Sequence, residues 1–380
     1  MIQTTIYQAV RISLKNSNNI NMYSRLRKLD WSLIVSALLL SGAGLLTING
    51  IGTEESSVFF KKQLLFLGIG LLVMLGISFF DYRILKNHSL ILLVIYIISV
   101  ASLIFVLFSG EIRGSSSWFR LGSLSFEPIE FVKIVIILIL AKYFSLRHIE
   151  LYRIRHLIVS GIYIGLPVLA VILQPDMGSA LVLVSIWLGV VIVSGIKMRH
   201  LALLLLIAII LSAVGWAGIL REYQKQRILS FLNPQNDPYG WGYHISQSLI
   251  AIGSGRVLGQ GEEGSSQAGL KFLPEQHNDF IFATLSEQRG LIGVFVLLAL
   301  YLFFFWRIVK IALISSNNFS RLFTAGFIAL VFIQAAINIG MNVGVLPITG
   351  LTLPLVSYGG SSLVSVFLGL GILESIKSRS

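Results

Sequence analysis

Apolar runs of about 20 residues recur along almost the whole chain. No other feature constrains the fold as strongly. A run of that length with few charges is a membrane span. In lipid each backbone N–H and C=O must find its partner inside the segment, so such runs are helices. Composition agrees: of 380 residues, 55% are hydrophobic and 12% charged, about half the charged share of a soluble domain. Disulfides are excluded, because the chain has no cysteine.

The expected fold is an all-α polytopic membrane protein of ten helices, over about 31–48, 62–80, 89–108, 129–145, 157–173, 180–196, 201–220, 282–306, 322–346 and 359–376. Residues 1–30 form a basic segment, with Arg11, Lys15, Arg25, Arg27 and Lys28. It is too long, and too poor in small residues at its end, to read as a cleaved signal peptide. Residues 31–376 form the membrane domain, and 221–280 is its one long connection. The third-to-fourth connection is amphipathic, with Arg113, Trp118, Phe119 and Arg120 among serines and glycines, and is expected along the interface. No internal repeat pairs two halves, which argues against the usual transporter plan.

The net charge of +12 is an orientation signal. Nucleic-acid binding needs a clustered basic surface, whereas these charges lie in short pieces between apolar runs. With the N-terminus inside, eighteen lysines and arginines fall in inner connections and termini, and four (Lys61, Lys62, Arg113, Arg120) in outer ones. The positive-inside rule therefore places both termini in the cytoplasm and residues 221–280 outside it.

Charge at the mouth of a span needs a partner or a purpose. Glu130, Lys133, Asp176 and Asp279 all fall at the outer ends of their predicted spans. In SFEPIEFVK (125–133), Pro128 suits a first helical turn and Glu130 sits where the helix dipole favours an acid. Three-residue spacing puts Glu130 and Lys133 on one face, as a structural ion pair or as one lining a polar cavity. In QPDMGS (174–179), Asp176 is placed to cap the next helix, and a capping aspartate can also face a groove.

The long connection brings Arg221, Lys225 and Arg227, then the turn-rich NPQNDPYGWG. HISQSLIAIGSGRVLGQG (244–261) reads as one short amphipathic helix ending in glycines. Those glycines suit turns, or the close approach of backbone N–H groups to a phosphate. In FLPEQHNDFIF (272–282), His277 and Asp279 are placed to bond each other or a ligand. Alternatively Asn278 or Asp279 caps the helix that follows. A carboxylate against apolar walls has a raised pKa and can serve as a base near neutral pH. The last predicted helix opens with Gly359, Gly360, Ser361 and Ser362, whose N–H groups suit an anion. No spacing of transition-metal ligands occurs. An ion pathway would place polar groups near mid-membrane, whereas these gather at one face. That pattern points to chemistry on a substrate with a lipid tail and a charged head.

Seven stretches, in this order and spacing, resemble the SEDS family (shape, elongation, division and sporulation). They are RGSSSWF (113–119), SFEPIEFVK (125–133), QPDMGSALVL (174–183), YQKQRILSFLNPQNDPYGWGY (223–243), QSLIAIGSG (247–255), LKFLPEQHNDFIFATLSE (270–287) and NIGMNVGVLPITGLTLPLVSYGGSS (338–362). The LKFLPE and NIGM forms resemble its rod-shape branch more than its division branch. The resemblance implies ten spans, cytoplasmic termini, a plasma-membrane location and a main external loop between spans seven and eight. It implies an inverting glycosyltransferase that polymerises lipid II into β-1,4 glycan strands of peptidoglycan, releasing undecaprenyl pyrophosphate. The implied partners are a class B penicillin-binding protein and other elongation-complex proteins. The family's essential aspartate falls on Asp279, its fourth-span glutamate and lysine on Glu130 and Lys133, and its QPD aspartate on Asp176.

In that frame Asp279 is the expected general base, with Lys133 and Arg227 placed to meet the leaving pyrophosphate. A divalent cation, Mg²⁺ or Mn²⁺, carried on substrate oxygens is another source of positive charge, and no organic cofactor is called for. Two departures stand out: SEQRG, with Arg289, follows the aspartate motif where an acidic pair is more usual, and HND replaces the commoner HTD. The alternatives are a lipid II flippase, which needs a polar route with two openings, and a non-catalytic scaffold for the cross-linking enzyme.

Overall fold

The computed structural model describes residues 27–108, 117–121, 124–147, 154–220, 222–261 and 275–379. Most of the basic N-terminal segment, Arg113, Arg221 and the LKFLP part of the aspartate motif lie outside the described residues.

Helices α1 (Trp31–Asn49), α2 (Glu54–Phe79), a short α3 (Arg83–Asn87) and α4 (Ser89–Val106) come first. The described part of the next connection, expected to be amphipathic, is an antiparallel hairpin. Its strands β1 (Phe119–Leu121) and β2 (Leu124–Phe126) pair Phe119 with Phe126. Next come α5 (Pro128–Ser145), α6 (Ile154–Leu173), α7 (Met177–Val193) and α8 (Met198–Val214), which ends in a π-helical turn, Gly215–Ile219. The long connection holds two helices where one was expected: α9 (Glu222–Leu232) and α10 (Trp241–Ser254). The chain closes with α11 (Ile281–Ile314), α12 (Asn318–Asn342) and α13 (Gly360–Lys377).

Each predicted span falls on a helix. Among the described residues, eight are long and apolar enough to cross a membrane: α1, α2, α4, α6, α8 with its π turn, α11, α12 and α13. Of the other two, α5 carries Glu130, Lys133 and Lys142, and α7 has 17 residues. α5 is the centre of the bundle, packing against α4, α6, α7, α12 and α13. Glycines let the helices approach closely: a Cβ on Gly371 of α13 would lie 2.7 Å from the Met74 carbonyl oxygen of α2.

The ends are tied by polar side chains. Asp30 caps α1 through the Leu33 N–H and takes Arg307 of α11 at 2.5 Å and Lys377 of α13 at 3.1 Å. Its own N–H donates to Glu374 at 2.7 Å. Burial works to raise the Asp30 pKa, but hydrogen bonds from Arg307 and Lys377 outweigh it and hold the group below its ordinary value.

The predicted eighth span is not one straight helix. Gly290 breaks α11 with φ 64° and ψ −163°. Before the break, Ile281–Gln288 is buried at every residue. After it, residues 291–314 run about 36 Å, enough for a crossing. The segment after α10 clasps the break: Gln260 N–H donates to Glu287 O at 2.9 Å, Leu291 to Arg256 O at 2.9 Å and Ile292 to Val257 O at 3.2 Å. Contact is backbone to backbone. A Cβ on Gly255 would lie 1.9 Å from Ser286 O, one on Gly259 2.2 Å from Gln288 O, and one on Gly290 2.3 Å from Gly259 N. Gly255 and Gly259 are therefore used for packing rather than for phosphate.

Gly290→Ala is expected to lower stability by at least about 2 kcal/mol, combining a positive φ with a backbone clash. Gly42→Ala, in a helix with open space around the added carbon, is expected to be neutral or stabilising. Thermal unfolding in detergent of both variants checks the contrast.

Candidate active site

Six elements converge at one end of the bundle, and local sequence explains each. Pro128 starts α5, so Glu130 lies in its first turn and Lys133 one turn deeper. Lys133 is fully buried and donates to Glu130 Oε1 at 2.6 Å. The pair predicted from spacing is formed. Asp176 is the N-cap of α7 and accepts from Ser179 N–H at 3.0 Å, so the capping role is formed as well. The start of α7 abuts the α12–α13 loop: a Cβ on Gly178 would meet Thr349 O at 3.0 Å.

Asp279 lies just before α11. Its carbonyl accepts from Asn338 Nδ2 at 3.0 Å and from Asn342 Nδ2 at 2.9 Å. Neither Asn278 nor Asp279 is the N-cap of α11. That residue is Phe280, without a side-chain bond, and Asn342 Oδ1 of α12 receives the Ala283 N–H at 3.2 Å. The Asp279 carboxylate faces the same α12–α13 loop, where a Cβ on Gly350 would lie 3.7 Å from Oδ2. His277 stacks on Phe59 with centroids 3.9 Å apart, lies 3.8 Å from Glu275, and accepts Tyr358 N–H at its carbonyl at 2.8 Å.

The glycine–serine start of α13 is less open than expected for an anion nest. Gly359 N–H donates to Gln63 Oε1 at 3.3 Å, and the Gly360 Cα packs against Phe66. Ser361 Oγ receives the Glu127 N–H at 3.0 Å, and Ser362 Oγ pairs with Thr352 at 3.4 Å. These residues hold the site's wall together.

Arg227 of α9 overlooks the acids. Its guanidinium lies 4.1 Å from the Trp241 ring centroid, and its buried Nε has no hydrogen-bond partner. Burial lowers its pKa, while Tyr223, Asp279 and Asp176 act to raise it. The turn-rich NPQNDPYGWG segment places this helix: Asp237 Oδ2 accepts from Ser230 Oγ and Trp241 N–H, both at 2.9 Å.

Sequence patterns did not single out Glu127. It is the N-cap residue of α5 and makes no side-chain cap bond. Burial pushes its pKa well above the ordinary 4.5; Glu130, Asp176 and Asp279 push it further, and Lys133 alone opposes them. Glu127 therefore senses every charged group proposed here on α5, α7 and the aspartate motif. The missed signal was a second acid flanking Pro128, at the position where caps occur. Asn338 and Asn342 were also missed as supports. Four apart on an apolar helix, they share one buried face.

Among the described residues no group of three or more His, Asp or Glu side chains converges as metal ligands. Glu130 is engaged by Lys133 and Asp176 by its cap.

The model of the FtsW/RodA/SpoVE family of cell cycle proteins matches residues 28–380, and the chain belongs to that family. It is 35% identical over 348 residues to the peptidoglycan glycosyltransferase MrdB of Escherichia coli K12, covering 91% of this chain and 92% of that one. Among solved structures, a chain from a peptidoglycan synthase complex that coordinates polymerization and crosslinking superposes with TM-score 0.79 at 31% identity, covering 92% and 98%. The rod shape determining protein RodA of Thermus thermophilus superposes with TM-score 0.68 at 30% identity, covering 92% and 96%.

Glu127 yields a pH prediction with a definite sign. Its raised folded pKa means that the native state holds a proton the unfolded chain releases above its ordinary pKa of 4.5. Stability therefore falls as pH rises above that value. The Tm of Glu127→Gln is expected to match wild type near that ordinary pKa and to exceed it increasingly as pH rises above it. A pH series of melting curves measures the divergence.

Proposed function

We propose that the chain is a lipid II polymerase whose general base is Asp279. One observation carries the assignment. Asp279, Asp176, Glu127 and the Glu130–Lys133 pair meet at one end of the bundle, with the underbonded Arg227 beside them. Asp279 takes the proton from the 4-hydroxyl of the acceptor's N-acetylglucosamine. The freed oxygen attacks the anomeric carbon of the donor's N-acetylmuramic acid, and undecaprenyl pyrophosphate leaves from the opposite face. Displacement in one step inverts the centre from α to β. Lys133 and Arg227 stabilise charge on the departing pyrophosphate, with Glu130 orienting Lys133. A divalent cation held on the substrate's phosphates would add positive charge at the leaving group.

We place this end outside the cytoplasm, with ten spans and both termini inside. The asymmetry of lysine and arginine supports that orientation. The helicity of all ten apolar runs, α5 and α7 included, supports the count of ten. The partner is a class B penicillin-binding protein that cross-links the new strand. The LKFLPE and NIGM forms favour the elongation branch.

Asp279→Asn, purified with the cognate partner and given labelled lipid II in liposomes, is expected to lose about 10²–10⁴ in polymerisation rate. Equal glycan ladders from mutant and wild type move the base elsewhere. No ladder from either, with wild type moving lipid II across the bilayer, replaces polymerase by flippase. No ladder from either, with wild type still stimulating cross-linking by the partner, replaces it by scaffold. Asp176→Asn separates capping from chemistry, since asparagine caps as well as aspartate. Its unfolding free energy is expected to stay within about 0.5 kcal/mol of wild type, while its rate falls at least about tenfold through the lost charge.

A further inference from the structure

α5 leaves only Phe131, Val135, Lys142 and Ser145 short of full burial. With Leu138 between them, they follow one another at intervals of four, three, four and three, which is a single stripe along one helix face. The stripe lines two hollows. Phe131, Val135 and Leu138 wall an apolar groove of about 370 Å³, closed by Leu85, Ile95 and Ile372 of α3, α4 and α13. Lys142 and Ser145 line a cavity of about 360 Å³ with Lys86, Asn317 and Asn318. The hollows adjoin. Leu85 of the groove precedes Lys86 of the cavity, and Tyr82 of the groove receives a hydrogen bond from Asn317 Nδ2 of the cavity at 3.0 Å.

The cavity's charge is of one sign. Lys142 Nζ donates to the Lys86 carbonyl oxygen, so two ammonium-bearing residues are held side by side. Among the described residues neither has an acidic partner. The start of α12, at Asn318, adds the partial positive charge of a helix N-terminus. Lys142 lies twelve residues beyond Glu130, about 18 Å along α5, so the cavity is separate from the candidate active site.

We propose that the two hollows together bind one anionic phospholipid. Its phosphate sits between Lys86 and Lys142 with the amides of Asn317 and Asn318, and one acyl chain lies along Phe131, Val135 and Leu138. A free phosphate would use the cavity and leave the groove unexplained. The continuity of the stripe from lysine to phenylalanine fits an amphiphile. The inference is independent of the reaction proposed above.

The test titrates delipidated full-length protein with phosphatidylglycerol, phosphatidylcholine and soluble glycerol phosphate, read by native mass spectrometry. Phosphatidylglycerol is expected to bind at least about tenfold tighter than phosphatidylcholine. Lys86→Gln with Lys142→Gln is expected to weaken it about thirty-fold, at about five-fold per lysine. Val135→Phe, filling the groove, should weaken both lipids and leave glycerol phosphate unchanged. Lipid-free melting curves confirm folding, and Lys86→Gln alone at the half-exposed lysine serves if the double variant does not fold. Equal binding of the two lipids, or undiminished binding to the lysine variants, overturns the site. Glycerol phosphate competing at the same concentration as phosphatidylglycerol overturns the lipid assignment in favour of a free phosphate.

Discussion

Lipid gives a broken helix nothing to bond with, and this chain interrupts its helices beside the groups that carry its charge. Each interruption frees backbone polar groups that the protein itself must satisfy. Two asparagines carry much of that duty. Asn342 receives the Ala283 N–H and donates to the Asp279 carbonyl, and Asn338 joins Asp279 O to Leu351 O. Ser357, Gln63 and Tyr301 do the same for the loop before α13, through Asn278 O, Ser357 O and Pro354 O. Asp279 therefore stands on a backbone with little freedom, which is what a base must have to meet a hydroxyl at hydrogen-bond distance.

Electrostatics at that end follow the same logic of mutual support. A fully buried lysine is tenable because Glu130 is within 2.6 Å. Four carboxyl groups lie together at that end, Glu127, Glu130, Asp176 and Asp279. Burial, with Glu130, Asp176 and Asp279 beside it, pushes the Glu127 carboxyl well above its ordinary range. Lys133 and Arg227 lie among these acids, so a pyrophosphate arriving there would meet positive charge already in position.

Much of this was legible in the sequence because hydropathy is local. Ten apolar runs fall on ten helices, and the Glu130–Lys133 pair and the Asp176 cap follow from spacing within one turn. What stayed hidden depends on contacts between distant segments. Nothing near Gly290 marks it as a break rather than a helix glycine; its meaning comes from Gly255 and Gly259, some thirty residues earlier. Glu127 looks like an ordinary cap until Asp176 and Asp279 are brought beside it. Asn338 and Asn342 carried a readable signal, a polar pair on an apolar face, but their partners lie near residue 280. The glycines after α10 resembled phosphate ligands because close backbone approach demands the same residue whatever does the approaching.

The clasp between residues 255–260 and the Gly290 break has a mechanical meaning. Its contacts run backbone to backbone, so no side chain can yield and absorb a displacement. The α9–α10 segment and the short helix behind Asp279 consequently behave as one lever without slack. A protein that grips the α9–α10 segment would turn that lever, and so set the aim of the carboxylate from a distance without ever touching it.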